Sequence, residues 1–117
     1  MISLAQYNKA WAIIQQWNKE NRMGVYLCFY DDCCKRLNTT KKELQGLSRV
    51  RYLVYRRIVV AYALKQQFKM ITLETIAFLM NRDHTTITYY LSRYELLAEY
   101  YDDFNEVRNH LTELHDK

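Results

Sequence analysis

The sequence predicts an all-α fold, a single compact helical domain built around a helix-turn-helix. Three observations carry that expectation. Proline is absent and glycine occurs only twice, at Gly24 and Gly46, whereas turn-rich all-β chains need many residues that tolerate positive φ. Apolar residues recur at steps of three and four over most of the chain. Capping boxes of the Ser/Thr-x-x-Glu/Gln kind precede two of those stretches. With 117 residues the chain has the length of one ordinary domain, enough to bury roughly two-thirds of its unfolded surface.

Ser3 and Gln6 have the first capping-box spacing, and Leu4, Tyr7, Trp11, Ile14 and Trp17 follow on one helical face. The spacing predicts a helix over about 4–20, with Gly24 just beyond its end. Residues 1–24 are therefore expected to form an N-terminal amphipathic extension, and residues 25–117 the helix-turn-helix domain. Val25 to Tyr30 also reads as a short strand, but Tyr26, Tyr30, Cys33 or Cys34, and Leu37 fit a helical face, which the rest of the chain favours. Thr40 and Glu43 form the second capping box, before a very short helix that Gly46 would stop. Ser48-Arg49-Val50-Arg51 reads as a basic connector. Val54, Ile58, Ala61, Leu64 and Phe68 then predict a core-facing helix over 52–68, with Arg56 and Arg57 interrupting its apolar run.

Thr72 is placed to cap a short helix carrying Leu73, Ile76, Ala77 and Leu79. After the turn Met80-Asn81-Arg82, Asp83 is a natural N-cap for a longer helix starting near His84. Short helix, tight turn, long helix is the order of a helix-turn-helix. At about 100° per residue, Ile87, Leu91, Tyr94, Ala98 and Tyr101 fall within an arc of about 80° and should face the core. Thr85, Tyr89 and Ser92 point away, flanked by Thr86, Thr88 and Arg93. That outward face is short and polar, where a structural surface helix more often carries Glu/Lys pairs.

Several classes of chemistry are excluded. Phosphate-cradling loops, dinucleotide fingerprints and nucleophile elbows need close glycines, and these two stand 22 positions apart. No paired carboxylates or nucleophile–base arrangement supports an enzyme. Cys28, Cys33, Cys34, His110 and His115 show no recognised metal-ligand spacing, so neither metal nor cofactor is expected. Three cysteines, two of them adjacent, make a poor disulfide framework and are expected to be reduced. The longest apolar run, Ile58 to Leu64, is far short of the roughly 20 residues of a membrane span. The amino terminus lacks a signal pattern, which leads to the expectation of a cytoplasmic protein without a membrane partner.

Charge falls in three blocks. Residues 1–40 carry five Lys/Arg against three Asp/Glu, residues 41–93 ten against three, and residues 94–117 two against seven. The formal +4 thus conceals a strongly basic middle and an acidic end. A basic cluster inside one domain is the footprint of an anionic polymer.

At Arg82-Asp83-His84-Thr85-Thr86-Ile87 the sequence resembles the C-terminal DNA-binding domain of DnaA, the bacterial replication initiator. Upstream, Ser48-Arg49-x-Arg51 is similar to that family's basic loop, and Arg57 stands eight residues after Arg49, as the corresponding pair does there. Thr40 to Leu44 resembles the short helix before the loop. The resemblance spans about residues 26–105 and implies a Trp-repressor-like helical fold that binds double-stranded DNA, with replication or regulatory proteins as further partners. It implies Arg49 as a minor-groove arginine, Arg57 as a guanine or phosphate contact, and Asp83, His84, Thr85 and Thr86 as base-edge readers. Arg51, Arg82 and Tyr89 complete the expected DNA-binding set, Tyr89 standing where the family usually has a histidine. Asn81 replaces a pair of glycines in the turn, Ile58 replaces a glutamine, and one extra residue lies within 59–72. The AAA+ ATPase that precedes this domain in DnaA proteins has no counterpart in these 117 residues, so a DNA reader rather than an initiator is expected.

Some residues keep two readings. Asp83 is a cytosine acceptor or simply an N-cap, and His84 is a base reader, a half-buried structural histidine or, remotely, a metal ligand or general base. Lys41, Lys42, Arg56, Lys65 and Lys69 are phosphate contacts or ordinary solvated surface. The eleven tyrosines suggest stacking on single strands, but most fall on core faces, Tyr89 excepted. The alternative function is a protein–protein adaptor that keeps the fold without specific DNA binding, using residues 4–20 and the acidic end as its surfaces. Residues 4–20 are also a candidate dimerisation surface.

Overall fold

The computed structural model describes the backbone of residues 4–113 and the side chains of residues 9, 12, 13 and 21–111. Six helices follow one another among the described residues: α1 (Leu4–Arg36), α2 (Lys41–Gln45), α3 (Arg51–Gln67), α4 (Leu73–Met80), α5 (His84–Tyr100) and α6 (Asp102–Glu113). The all-α expectation holds.

α1 differs from the expectation. It runs unbroken through Gly24, which stops nothing. A Cβ at Gly24 would meet no atom within 4 Å, so the glycine sits in open space and costs only the ~1 kcal/mol that glycine costs within a helix. The boundary expected at residue 24 therefore falls inside a helix, and residues 25–30 are helical, not extended. At 1.5 Å per residue, 33 residues span about 50 Å. This long element explains a radius of gyration of 17.4 Å and a longest dimension of 63 Å, against about 13 Å expected for the radius of a compact chain of this length. Burial among the described residues begins at Tyr30. The expected face of Tyr7, Trp11, Ile14 and Trp17 lies outside the described side chains.

α1 ends in a left-handed cap at Asn38 (φ 53°). Asn38 N donates to Lys35 O and Thr39 N to Cys34 O, the two bonds of a Schellman motif that satisfy the last carbonyls. α2 has the full expected capping box, with Glu43 N donating to Thr40 Oγ1 and Thr40 N to Glu43 Oε1. Gly46 does close α2, but in extended backbone (φ −76°) rather than as a left-handed stop. What favours glycine there is space: a Cβ would stand 3.1 Å from Lys42 O.

α3 is the central helix, and its buried residues point all round it: Leu53, Tyr55, Arg57, Ile58, Val59, Val60, Ala61 and Leu64. α3 packs along α5: its start shares a groove with Leu97 and Tyr101, its middle shares one with Asp83 and Thr86, and Tyr62 stacks on Tyr94 with ring centroids 3.6 Å apart. Ile87, Tyr90 and Leu97 are the buried residues of α5, and Leu91, Tyr94 and Ala98 pack partly against the core. Tyr101, expected to face inward, is exposed because α5 ends there and the chain turns into α6. Phe104 of α6 is fully buried, with ring centroids 5.3 Å from Tyr55 and 5.5 Å from Tyr94. Burial of such a side chain contributes about 1.5–3 kcal/mol and fastens the acidic end to the basic middle.

Candidate nucleic-acid interface

The helix-turn-helix is built from three local devices. Thr72 caps α4, accepting from Thr75 N at 3.1 Å. Asn81 (φ 53°, ψ 50°) ends α4 in the left-handed region that asparagine tolerates, with Arg82 N donating to Ala77 O at 2.9 Å. Asparagine thereby performs the turn that glycine would otherwise perform. Asp83 starts α5: its Oδ1 accepts from Thr86 N at 2.7 Å. Hydrogen bonds from the Thr86 side chain and backbone hold the Asp83 carboxyl below its ordinary pKa. The capping role of Asp83 is thus observed, and its second oxygen stays at the solvent-exposed helix start.

Ile87 is fully buried and anchors the first turns of α5. His84, Thr85, Thr88, Tyr89 and Ser92 are exposed and Thr86 is half-buried. The Thr88 hydroxyl donates to His84 O and the Ser92 hydroxyl to Tyr89 O. Tyr89 is 55% exposed, with the Arg93 guanidinium 5.8 Å from its ring centroid. The outward face is therefore short, polar and hydrogen-bonding, as its periodicity predicted.

Beside it lies the loop between α2 and α3, where Leu47, Ser48, Arg49 and Val50 are all exposed. Its backbone is gripped from below. Arg57 Nε donates to Leu44 O at 2.8 Å, Nη1 to Ser48 O at 2.5 Å, and Nη2 to Glu43 O at 3.0 Å and Gly46 O at 3.1 Å. Arg82 reaches the same segment from the other side, with Nη1 donating to Gln45 O at 3.2 Å and Nη2 to Leu44 O at 3.3 Å and to Gly46 O. Those of Leu44 and Gln45 belong to the end of α2, where carbonyls lack helix partners and cations are favoured, and those of Gly46 and Ser48 to the loop after it.

The location of Arg57 differs from the expectation of a direct DNA contact. It is 2% exposed, and its donors face the loop carbonyls. Burial foremost, then the neighbouring Arg82, lowers its pKa. Arg82 is half-buried and likewise directed inward. Arg51 is exposed but held elsewhere: its Nε donates to Tyr55 Oη at 2.7 Å and lies 3.2 Å from Asp103 Oδ2, and its guanidinium sits over the Tyr55 and Tyr101 rings.

Arg49 from the loop and Asp83, Thr86 and Tyr89 from α5 line one groove of about 660 Å3, together with Arg57 and Arg82. Arg51 lines the adjoining groove with Tyr89 and Arg93. Sequence reasoning missed Gln45. Its carbonyl accepts from Asn81 Nδ2 and Arg82 Nη1, and its side chain donates to Leu79 O at 2.7 Å, joining α2 to the turn. A glutamine in a five-residue helix carries no signal of that role.

Among the described residues no group of three His, Cys, Asp or Glu is placed to hold a metal. Among the same described residues no helix is long and apolar enough to cross a membrane.

A family model described as the bacterial DnaA protein helix-turn-helix matches residues 31–93. The matched stretch runs from the end of α1 to the middle of α5 and includes both the gripped loop and the turn. No curated protein and no solved structure matches the chain. The match covers just over half of the chain and all the residues of the groove, and the chain belongs to the bacterial DnaA helix-turn-helix family of DNA-binding domains.

Proposed function

We propose that the chain is a sequence-specific double-stranded DNA-binding protein acting in DNA replication or its regulation. The observation that carries this reading is the joining of two exposed elements, the Arg49 loop and the start of α5, by one set of inward arginine hydrogen bonds. Arg49 enters a minor groove while α5 enters the neighbouring major groove. His84, Thr85, Thr86 and Tyr89 then meet base edges, and the second oxygen of Asp83 accepts from a cytosine amino group. Backbone N–H groups at the start of α5 favour a phosphate. The basic block at 41–93 supplies the sequence-independent attraction. Arg57 and Arg82 hold the two readers in register rather than reading bases, and Arg51 stays tied to α6.

The test is selection of bound duplexes from a random pool at about 50 and about 200 mM salt, since released counterions set the salt dependence. An enriched motif with binding that weakens steeply with salt supports the reading. Salt-dependent binding without enrichment reduces it to a non-specific DNA binder. No binding at either salt overturns it in favour of an adaptor.

A further inference from the structure

Leu47 is 89% exposed and stands two residues before Arg49, in a loop otherwise made of Ser48, Arg49 and Val50. A lone exposed leucine on a helix face needs no explanation. This one is different because its backbone is fixed on both sides. Gly46 O accepts from Arg57 Nη2 at 3.1 Å and also from Arg82, and Ser48 O accepts from Arg57 Nη1 at 2.5 Å. Turning Leu47 into the core would break these bonds and cost each guanidinium part of its set of acceptors. The loop therefore holds an apolar side chain outward against its hydrophobic preference, beside a cation.

We propose that Leu47 is a minor-groove wedge that unstacks a base step next to the site of Arg49 and kinks the duplex. This rests on the reading of Arg49 as a minor-groove arginine. The charge of Arg49, within the basic block 41–93, draws the loop onto a phosphate-walled groove, where an aliphatic side chain finds cover only between bases. Wedges of this kind bend DNA by roughly 20–90°. A wedge needs a rigid backing, which the paired arginines supply from beneath. The cost of unstacking depends on the step, so Leu47 adds a preference for flexible pyrimidine–purine steps without any hydrogen bond to a base.

The probe is the duplex enriched by the wild-type chain from the random pool. 2-Aminopurine is placed at successive positions across it, and a donor–acceptor dye pair at its ends. The wild-type chain brightens 2-aminopurine severalfold at one step and brings the ends closer. Leu47→Met keeps both effects. Leu47→Ala and Leu47→Lys lose both, and in a fresh selection each keeps the base preferences read by α5 but loses the preference at the unstacked step. Leu47 is exposed, so these variants fold, and circular dichroism checks that they do. Unstacking and bending by Leu47→Ala equal to the wild type overturns the wedge. Specific binding by the wild type with no brightened position overturns it too, leaving the proposed function intact. Failure of the wild type to enrich any duplex removes both.

Discussion

Arg57 of α3 and Arg82 of the turn before α5 converge on the same two carbonyl oxygens, those of Leu44 and Gly46. Two like charges so close repel, and the nearby Arg82 is one reason that the Arg57 pKa is lowered, after burial itself. The arrangement is stable because the end of α2 and the following loop offer carbonyls that no helix bond uses. The loop, the central helix and the reading helix are thereby joined through two side chains.

Arg57→Lys is expected to destabilise the fold by about 2–4 kcal/mol, since an ammonium cannot reproduce a planar fork spanning four carbonyls and buried acceptors are left unmade. Urea unfolding midpoints measure this. An unchanged midpoint would mean that the inward hydrogen bonds contribute nothing.

Arg49→Ala and Thr86→Ala are expected to leave unfolding nearly unchanged, because Arg49 is exposed and the Thr86 backbone N–H still donates to Asp83. Each should weaken binding to the selected duplex by about 5- to 150-fold, the equivalent of 1–3 kcal/mol for a specific contact. Normal binding by both would remove them from the site.

The Asp83 carboxyl is held below its ordinary pKa by Thr86. A group whose folded pKa is depressed contributes stability that is present above its unfolded value, near 3.9, and lost as pH falls through the lower folded value. Asp83→Asn keeps the cap and should remove that part of the acid sensitivity. Asp83→Ala should lose the cap at neutral pH, read as lower helicity and an earlier thermal transition.

Cys33 and Cys34 are buried, and burial foremost pushes their pKa values to about 12 and about 11. They should resist a disulfide reagent at neutral pH in the folded chain while exposed Cys28 reacts, giving one fast thiol of three. Because folding raises these values, stability should fall as pH rises from about 8.5, where unfolded thiols begin to ionise, towards 12. Three fast thiols would contradict the packing of α1 on α3.

The sequence made local devices readable and left long-range ones hidden. Thr40, Glu43, Thr72 and Asp83 announced their helices because caps act over three residues. Ile87, Leu91, Tyr94 and Ala98 announced the inner face of α5 because helical period is a local property. Gly24 misled because one exposed glycine lowers helix stability without ending a helix. Tyr101 misled because the period continues across a break that depends on how α6 folds back. The inward turn of Arg57 was hidden because it depends on a loop 9–14 residues away, and nothing local separates it from its half-buried neighbour Arg56.

The most direct measurement is a competition titration of the selected duplex against a scrambled duplex of the same composition, at about 150 mM salt. The account predicts that the selected duplex binds at least about 10^3-fold tighter, as sequence-reading proteins do, and that Arg49→Ala with Thr86→Ala collapses the ratio. A wild-type ratio near one would contradict it, leaving a helix-turn-helix held ready by Arg57 and Arg82 but reading no sequence.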